Sequence, residues 1–140
     1  MSANTNYQQN AVVVFPSQVF TGSASPYASP GAFSCPNPQG VLTLYVNVSS
    51  LSVGQTVTPV IAEIDASGAT TYSLPSFNPI TVAGQYMYKV GIGQNAYGGS
   101  IPSGGAIPLS PPASFVVFLV FGNTGGSEPA TVGVGLQVSN

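Results

Sequence analysis

The sequence contains no histidine, no tryptophan and no arginine, and Lys89 is its only cationic side chain. Three carboxylates, Glu63, Asp65 and Glu128, complete the charged set, so charged residues make up 3% of the chain, against roughly 25% in an ordinary soluble domain. Each absence closes a class of function. A chain without rows of Lys and Arg cannot neutralise successive phosphates, the main source of nucleic-acid affinity, so direct DNA or RNA binding is not expected. Metal sites built from Cys and His are excluded with no imidazole and one thiol. Acid–base or nucleophilic catalysis has three carboxylates, one amine, one thiol and hydroxyls to draw on. The expectation is a protein that is not an enzyme and that carries no cofactor and no metal.

Cysteine is nearly absent as well. Cys35 is alone, which rules out an intrachain disulfide and leaves open a bond to another chain. The opening stretch MSANTNYQQN lacks the cationic start and apolar run of a secretory signal, and the longest apolar stretch, residues 115–121, is too short to cross a bilayer. No membrane partner is expected.

Uncharged polarity takes the place of charge, with 18 Ser and 10 Thr besides Asn and Gln. A formal net charge of −2 gives little self-repulsion to oppose association, so much of the surface is expected to be covered by partners, as in a homo-oligomer or a larger assembly.

At 140 residues the chain fits one domain. Residues 1–39 are rich in Asn, Gln, Ser and Pro, and prolines at 16, 26, 30, 36 and 38 remove backbone donors and disfavour helix. The reading is an extended N-terminal arm preceding an all-β domain of residues 40–140. Within the arm, Val12, Val13, Val14, Phe15, Val19 and Phe20 form an apolar burst, and exposed apolar strands aggregate unless paired. These six residues are the candidate partner-binding segment, expected to dock by adding a strand to a sheet.

From residue 39 onward the period becomes two. Leu42, Leu44, Val46 and Val48 alternate with Thr43, Tyr45 and Asn47, which marks a half-buried strand. Residues 56–65 form a second strand, and residues 70–74 form its hairpin partner across Ala66-Ser67-Gly68. Another run, Ile80-Thr81-Val82, leads through Ala83-Gly84 to a strand carrying Tyr86, Tyr88 and Val90. A long Gly/Pro/Ser loop is expected over 94–113. Residues 115–121 are apolar on both faces, hence a central buried strand, and residues 123–129 supply the turn to a last strand with Val132, Val134, Leu136 and Val138. No helical period appears, and 17 Gly and 13 Pro would interrupt one. The fold class is therefore all-β, a small antiparallel β-sandwich or β-barrel of jelly-roll-like type, with the arm appended.

Few residues suggest chemistry. Glu63 and Asp65 lie on one face of a strand and could imitate an acid/base pair or a weak Ca²⁺ site. A carboxylate at a turn entrance that bonds the local backbone explains Asp65 more simply. Gly91-Ile92-Gly93, Gly98-Gly99 and Gly104-Gly105 lack the Gly-Lys-Ser/Thr ending of a phosphate loop. The seven tyrosines, at 7, 27, 45, 72, 86, 88 and 97, suit both strand packing and interfaces.

Residues 40–140 also resemble small virion proteins of tailed bacteriophages, of the capsid decoration or cement type. The matching blocks are Gly40-Val41 leading into Tyr45-Val46-Asn47-Val48, TPVIAEIDASG at 58–68, TVAGQYMYKVGIG at 81–93 and TVGVGLQV at 131–138. The pattern departs from that family at Leu109-Ser110-Pro111-Pro112 and Phe115-Val116-Val117, where a Leu-Pro segment and a Trp-Arg-Val start are common. The resemblance implies a structural protein on the capsid exterior of a virion, commonly a homotrimer, that stabilises the shell by bridging subunits of a major capsid protein. The residues alone leave two rivals: a tail- or fibre-associated adhesin, and a strand-donating subunit of an extracellular filament.

Overall fold

The computed structural model describes residues 11–21, 25–65, 67–68, 70–74, 77–94, 105–122 and 128–139. Tyr7, Tyr97, the Gly98-Gly99 pair and most of the expected 123–129 turn lie outside them.

Among the described residues, ten strands follow in chain order: β1 (Ala11–Thr21), β2 (Tyr27–Ala28), β3 (Phe33–Ser34), β4 (Val41–Ser50), β5 (Thr56–Ile64), β6 (Thr70–Ser73), β7 (Gly84–Val90), β8 (Gly105–Ile107), β9 (Ser114–Gly122) and β10 (Pro129–Ser139). One sheet runs β1-β10-β4-β7-β8, and the second runs β2-β9-β5-β6 with β3 also on β9. All pairings are antiparallel except β7 with β8. The protein is a jelly-roll-like antiparallel β-sandwich.

The two-residue period builds it. Leu42, Leu44, Val46 and Val48 of β4, Tyr86, Tyr88 and Val90 of β7, and Val132, Val134 and Leu136 of β10 are all buried. They face Val57 and Ile61 of β5 and Phe115, Val117 and Leu119 of β9 in one core. Burying each such side chain stabilises the fold by about 1.5–3 kcal/mol. Between β6 and β7, Ile80 makes a one-residue bridge to Val57, its N–H donating to the Val57 carbonyl at 2.7 Å and its carbonyl accepting from Val57 N–H at 3.0 Å.

Four features differ from the sequence reading. Where an arm separate from the domain was expected, residues 11–21 form the edge strand of the domain's own sheet, paired with β10 from Ala11↔Gln137 to Thr21↔Pro129. β2 and β3, also ahead of residue 40, pair with β9. Second, β9 and β10 are not sheet neighbours but lie in opposite sheets. Both carry an inward apolar row, and alternation fixes which face is buried without fixing which sheet holds the strand. Third, β9 is buried on one face only, since Val120 is exposed and Val116 and Phe118 are half-buried. The 94–113 stretch, expected as a loop throughout, contains β8.

Candidate assembly surface

The titratable groups do not converge. Among the described residues no group of three or more His, Cys, Asp or Glu side chains could hold a metal ion. Asp65 Oδ1 accepts from the Ser67 N–H at 2.9 Å and the Ser67 hydroxyl at 2.6 Å, so this carboxylate is engaged in shaping its turn. Cys35 is 1% exposed. Its Sγ donates to the Asn37 carbonyl at 3.4 Å, and burial pushes the thiol pKa up. A protonated, enclosed thiol is a poor partner for another chain.

Among the described residues, three of the six exposed valines lie on the edge strand β1. Bulges between Val13 and Phe15 and between Phe15 and Gln18 interrupt its register with β10, so the six candidate residues divide. Val14, Phe15 and Phe20 turn into the core. Val12, Val13 and Val19 point outward, 43%, 69% and 64% exposed.

Aromatic packing holds the strand in place. Phe20 sits edge-on to Phe15 at 5.6 Å and to Tyr27 at 4.7 Å, and lies 5.8 Å from Phe121 of the opposite sheet. Backbone proximity holds it too. A side chain at Gly133 of β10 would place its Cβ 3.3 Å from the Ser17 Cα, so any larger residue there would have to push the bulged middle of β1 outward by a few tenths of an ångström.

Protection along the free side of β1 is uneven. At its end the Thr21 N–H donates to the Tyr27 hydroxyl at 3.2 Å, and that hydroxyl donates to the Thr21 carbonyl at 2.5 Å. One side chain thus occupies both main-chain groups of Thr21. In the middle, Pro16 has no N–H and the bulges break the line of the edge. Ahead of the first bulge, Ala11–Val13 carries no charge and no proline.

The outer face of the same sheet adds a shallow groove of about 270 Å³, lined by residues 45–47 of β4 and 85–87 of β7. It lies below the roughly 300–1,000 Å³ of small-molecule sites and contains no charged residue. The Tyr45 hydroxyl donates to Gln137 Oε1 at 3.1 Å across the neighbouring strand.

No protein-family model matches the chain, and no curated protein does. Solved structures match. The structure of the infectious bursal disease virus Gx strain is 11% identical over 92% of this chain and 32% of its own, with a TM-score of 0.52. The infectious bursal virus derived T=1 particle is 11% identical over 92% and 30%, with a TM-score of 0.53. The infectious bursal disease virus VP2 subviral particle is 11% identical over 92% and 32%, with a TM-score of 0.50. The chain spans about a third of the length of those chains, and at this identity the shared property is the fold.

These matches overturn the resemblance to bacteriophage decoration proteins, because the structures sharing the fold are particles of a different virus. The physical reason lies in the blocks that carried the resemblance. They are β4, β5 with its turn, β7 and β10, and their alternating Val, Leu, Tyr and Gly are what any sandwich strand with one buried face requires.

Proposed function

We propose that this chain is a structural subunit of a virus particle, a jelly-roll unit that forms part of a protein shell by contacts among copies of itself, with a trimer as its unit of assembly. The observation that carries this reading is the sandwich shared over 92% of the chain with solved virus particles. Composition supports it independently. A surface with four formal charges has little to keep copies apart and suits burial between them. The role is mechanical rather than catalytic, and like copies take the place of a separate major capsid protein as the partner.

The test is light scattering coupled to size exclusion, with electron microscopy of the same fractions, on the purified full chain. Trimers, or closed particles built from them, are the expected result. A chain that stays monomeric at its highest soluble concentration would sink the proposal.

A further inference from the structure

The groove on the outer face of β4 and β7 has a polarity that runs along the strands. Tyr45 and Asn47 point outward from β4, and the register sets Met87 of β7 opposite the first and Gln85 opposite the second. Opposed residues carry their Cβ atoms about 4.5–5.5 Å apart, and successive outward residues of one strand lie about 6.8 Å apart. The four side chains therefore stand at the corners of a rectangle. The groove of about 270 Å³ lies among them, floored by Val46 and Tyr86, whose own side chains turn into the core. One end of the rectangle is a ring and a thioether, and the other is a pair of amides.

Both ends are poised for a ligand. The Tyr45 hydroxyl donates to Gln137 Oε1 at 3.1 Å. Gln137 pairs with Thr43, diagonal to Tyr45, and the β10 residue directly opposite Tyr45 is Gly135. The ring thus leans toward β10, over a position with no side chain, and the β7 side stays open. Tyr45 is 43% exposed although held at its tip. Asn47 and Gln85 are exposed too, and among the described residues neither side-chain amide is bonded to another side chain or to main chain. Each amide offers two donors and an acceptor.

We infer that this groove binds one neutral pyranose residue of a glycan, its C–H face against Tyr45 and Met87 and its hydroxyls on the amides of Asn47 and Gln85. The C–H face of a sugar ring is apolar and weakly positive, which suits the negative face of an aromatic ring. Its hydroxyls donate and accept, as the amides do. A ligand without hydroxyls would strip water from both amides and give nothing back. An anionic ligand would find no cation in the walls, since Lys89, opposite Thr43, lies one row beyond Met87. The volume, below the roughly 300–1,000 Å³ of drug-sized sites, suits one ring rather than a chain of them. Because Gln137 fixes the ring beforehand, the ordering cost of binding falls mainly on the two amides. The groove lies within one copy, so the inference goes beyond the shell role and does not depend on it.

The probes are the methyl glycosides of glucose, galactose, mannose and N-acetylglucosamine, titrated into the isotopically labelled full chain. At least one should shift the side-chain amide resonances of Asn47 and Gln85 saturably, with an affinity of roughly 1 mM, as expected of a ligand of this size. Saturation transfer to the sugar's own resonances then compares variants. Tyr45→Ala should weaken binding by about tenfold or more, Tyr45→Phe, which keeps the ring, should weaken it less, and the pair Asn47→Ala with Gln85→Ala should abolish it. Val53→Ser, on a fully exposed turn residue, should bind as wild type does.

No saturable shift with any of the four glycosides, or shifts centred away from the groove, overturns the inference on the wild-type chain alone. Binding that survives both Tyr45→Ala and the double amide variant overturns it as well, and a methyl glucuronide bound in preference to the neutral sugars overturns the ligand class. None of these results touches the shell role, which the oligomeric state decides.

Discussion

Phe20 is the side chain on which β1 depends. It lies within 6 Å, ring to ring, of Phe15 on its own strand, Tyr27 on β2 and Phe121 on β9, so it ties the edge of one sheet to the other. Phe20→Ala removes the ring and leaves a cavity that rigid strands cannot fill, a loss of about 3–5 kcal/mol. Chemical denaturation should register that loss as a lower midpoint with an unchanged slope. Gln55 illustrates a different kind of burial. Its side chain is 1% exposed yet satisfied at both ends: Nε2 donates to the Glu128 carbonyl at 2.9 Å, and Oε1 accepts from the Ser52 N–H at 3.2 Å. It joins the β4–β5 turn to the start of β10, and an apolar replacement would leave both main-chain groups without these bonds.

At the scale of elements, two glycines of β10 make opposite predictions. A Cβ at Gly133 would meet the backbone of Ser17 at 3.3–3.4 Å, whereas at Gly135 the nearest atom is the Val12 carbonyl oxygen at an ordinary 3.7 Å. Gly133→Val should therefore cost about 1–3 kcal/mol by displacing β1, and hydrogen exchange should quicken selectively over residues 11–21. Gly135→Ala should be neutral, or stabilising by up to about 1 kcal/mol, because a strand glycine orders at a greater entropic cost. Gly133 and Gly135 look alike in the sequence, as alternate members of one polar row, and only the neighbouring strand separates them.

The same distinction governs what was legible beforehand. β4, β5, β7 and β10 could be read from the alternation of Leu, Val and Tyr, because one buried face imposes a period of two wherever the strand lies. The candidate segment at 12–20 was legible as apolar, but its division into inward Val14, Phe15 and Phe20 and outward Val12, Val13 and Val19 was not. The bulges at Val13/Phe15 and Phe15/Gln18 reset the alternation twice within one strand, and a bulge is set by the partner strand. The Tyr27 cover over Thr21 is a tertiary hydrogen bond with no local signature.

For the whole molecule, two buried acids set the response to alkali. Burial pushes the Cys35 thiol up, and burial with the neighbouring Tyr86 pushes the Tyr88 phenol well above the usual tyrosine range. The folded state therefore holds both protons more tightly than the unfolded chain, whose thiol and phenol titrate at about 8.5 and about 10. This contribution to stability is complete below the unfolded values and is lost as pH rises from them toward the folded ones. The denaturation midpoint should fall above about pH 8.5 and fall more steeply above about pH 10. Tyr88→Phe, which keeps the ring 4.6 Å from Phe77, should flatten the second part of that decline.

Salt discriminates between the forces that hold copies together. An interface made of opposed carboxylates and ammoniums weakens as the screening length falls from about 30 Å at 0.01 M to about 3 Å at 1 M salt. This chain has one lysine and three carboxylates, so ion pairs have little to contribute to association. Uncharged contacts remain, and these are indifferent to screening. Between about 0.01 M and 1 M sodium chloride the association constant should change by less than about threefold. Sodium sulfate, excluded from the protein surface, should raise it. A tenfold fall in sodium chloride would mean that the few charges are concentrated at the contact between copies, a result incompatible with association through uncharged surface.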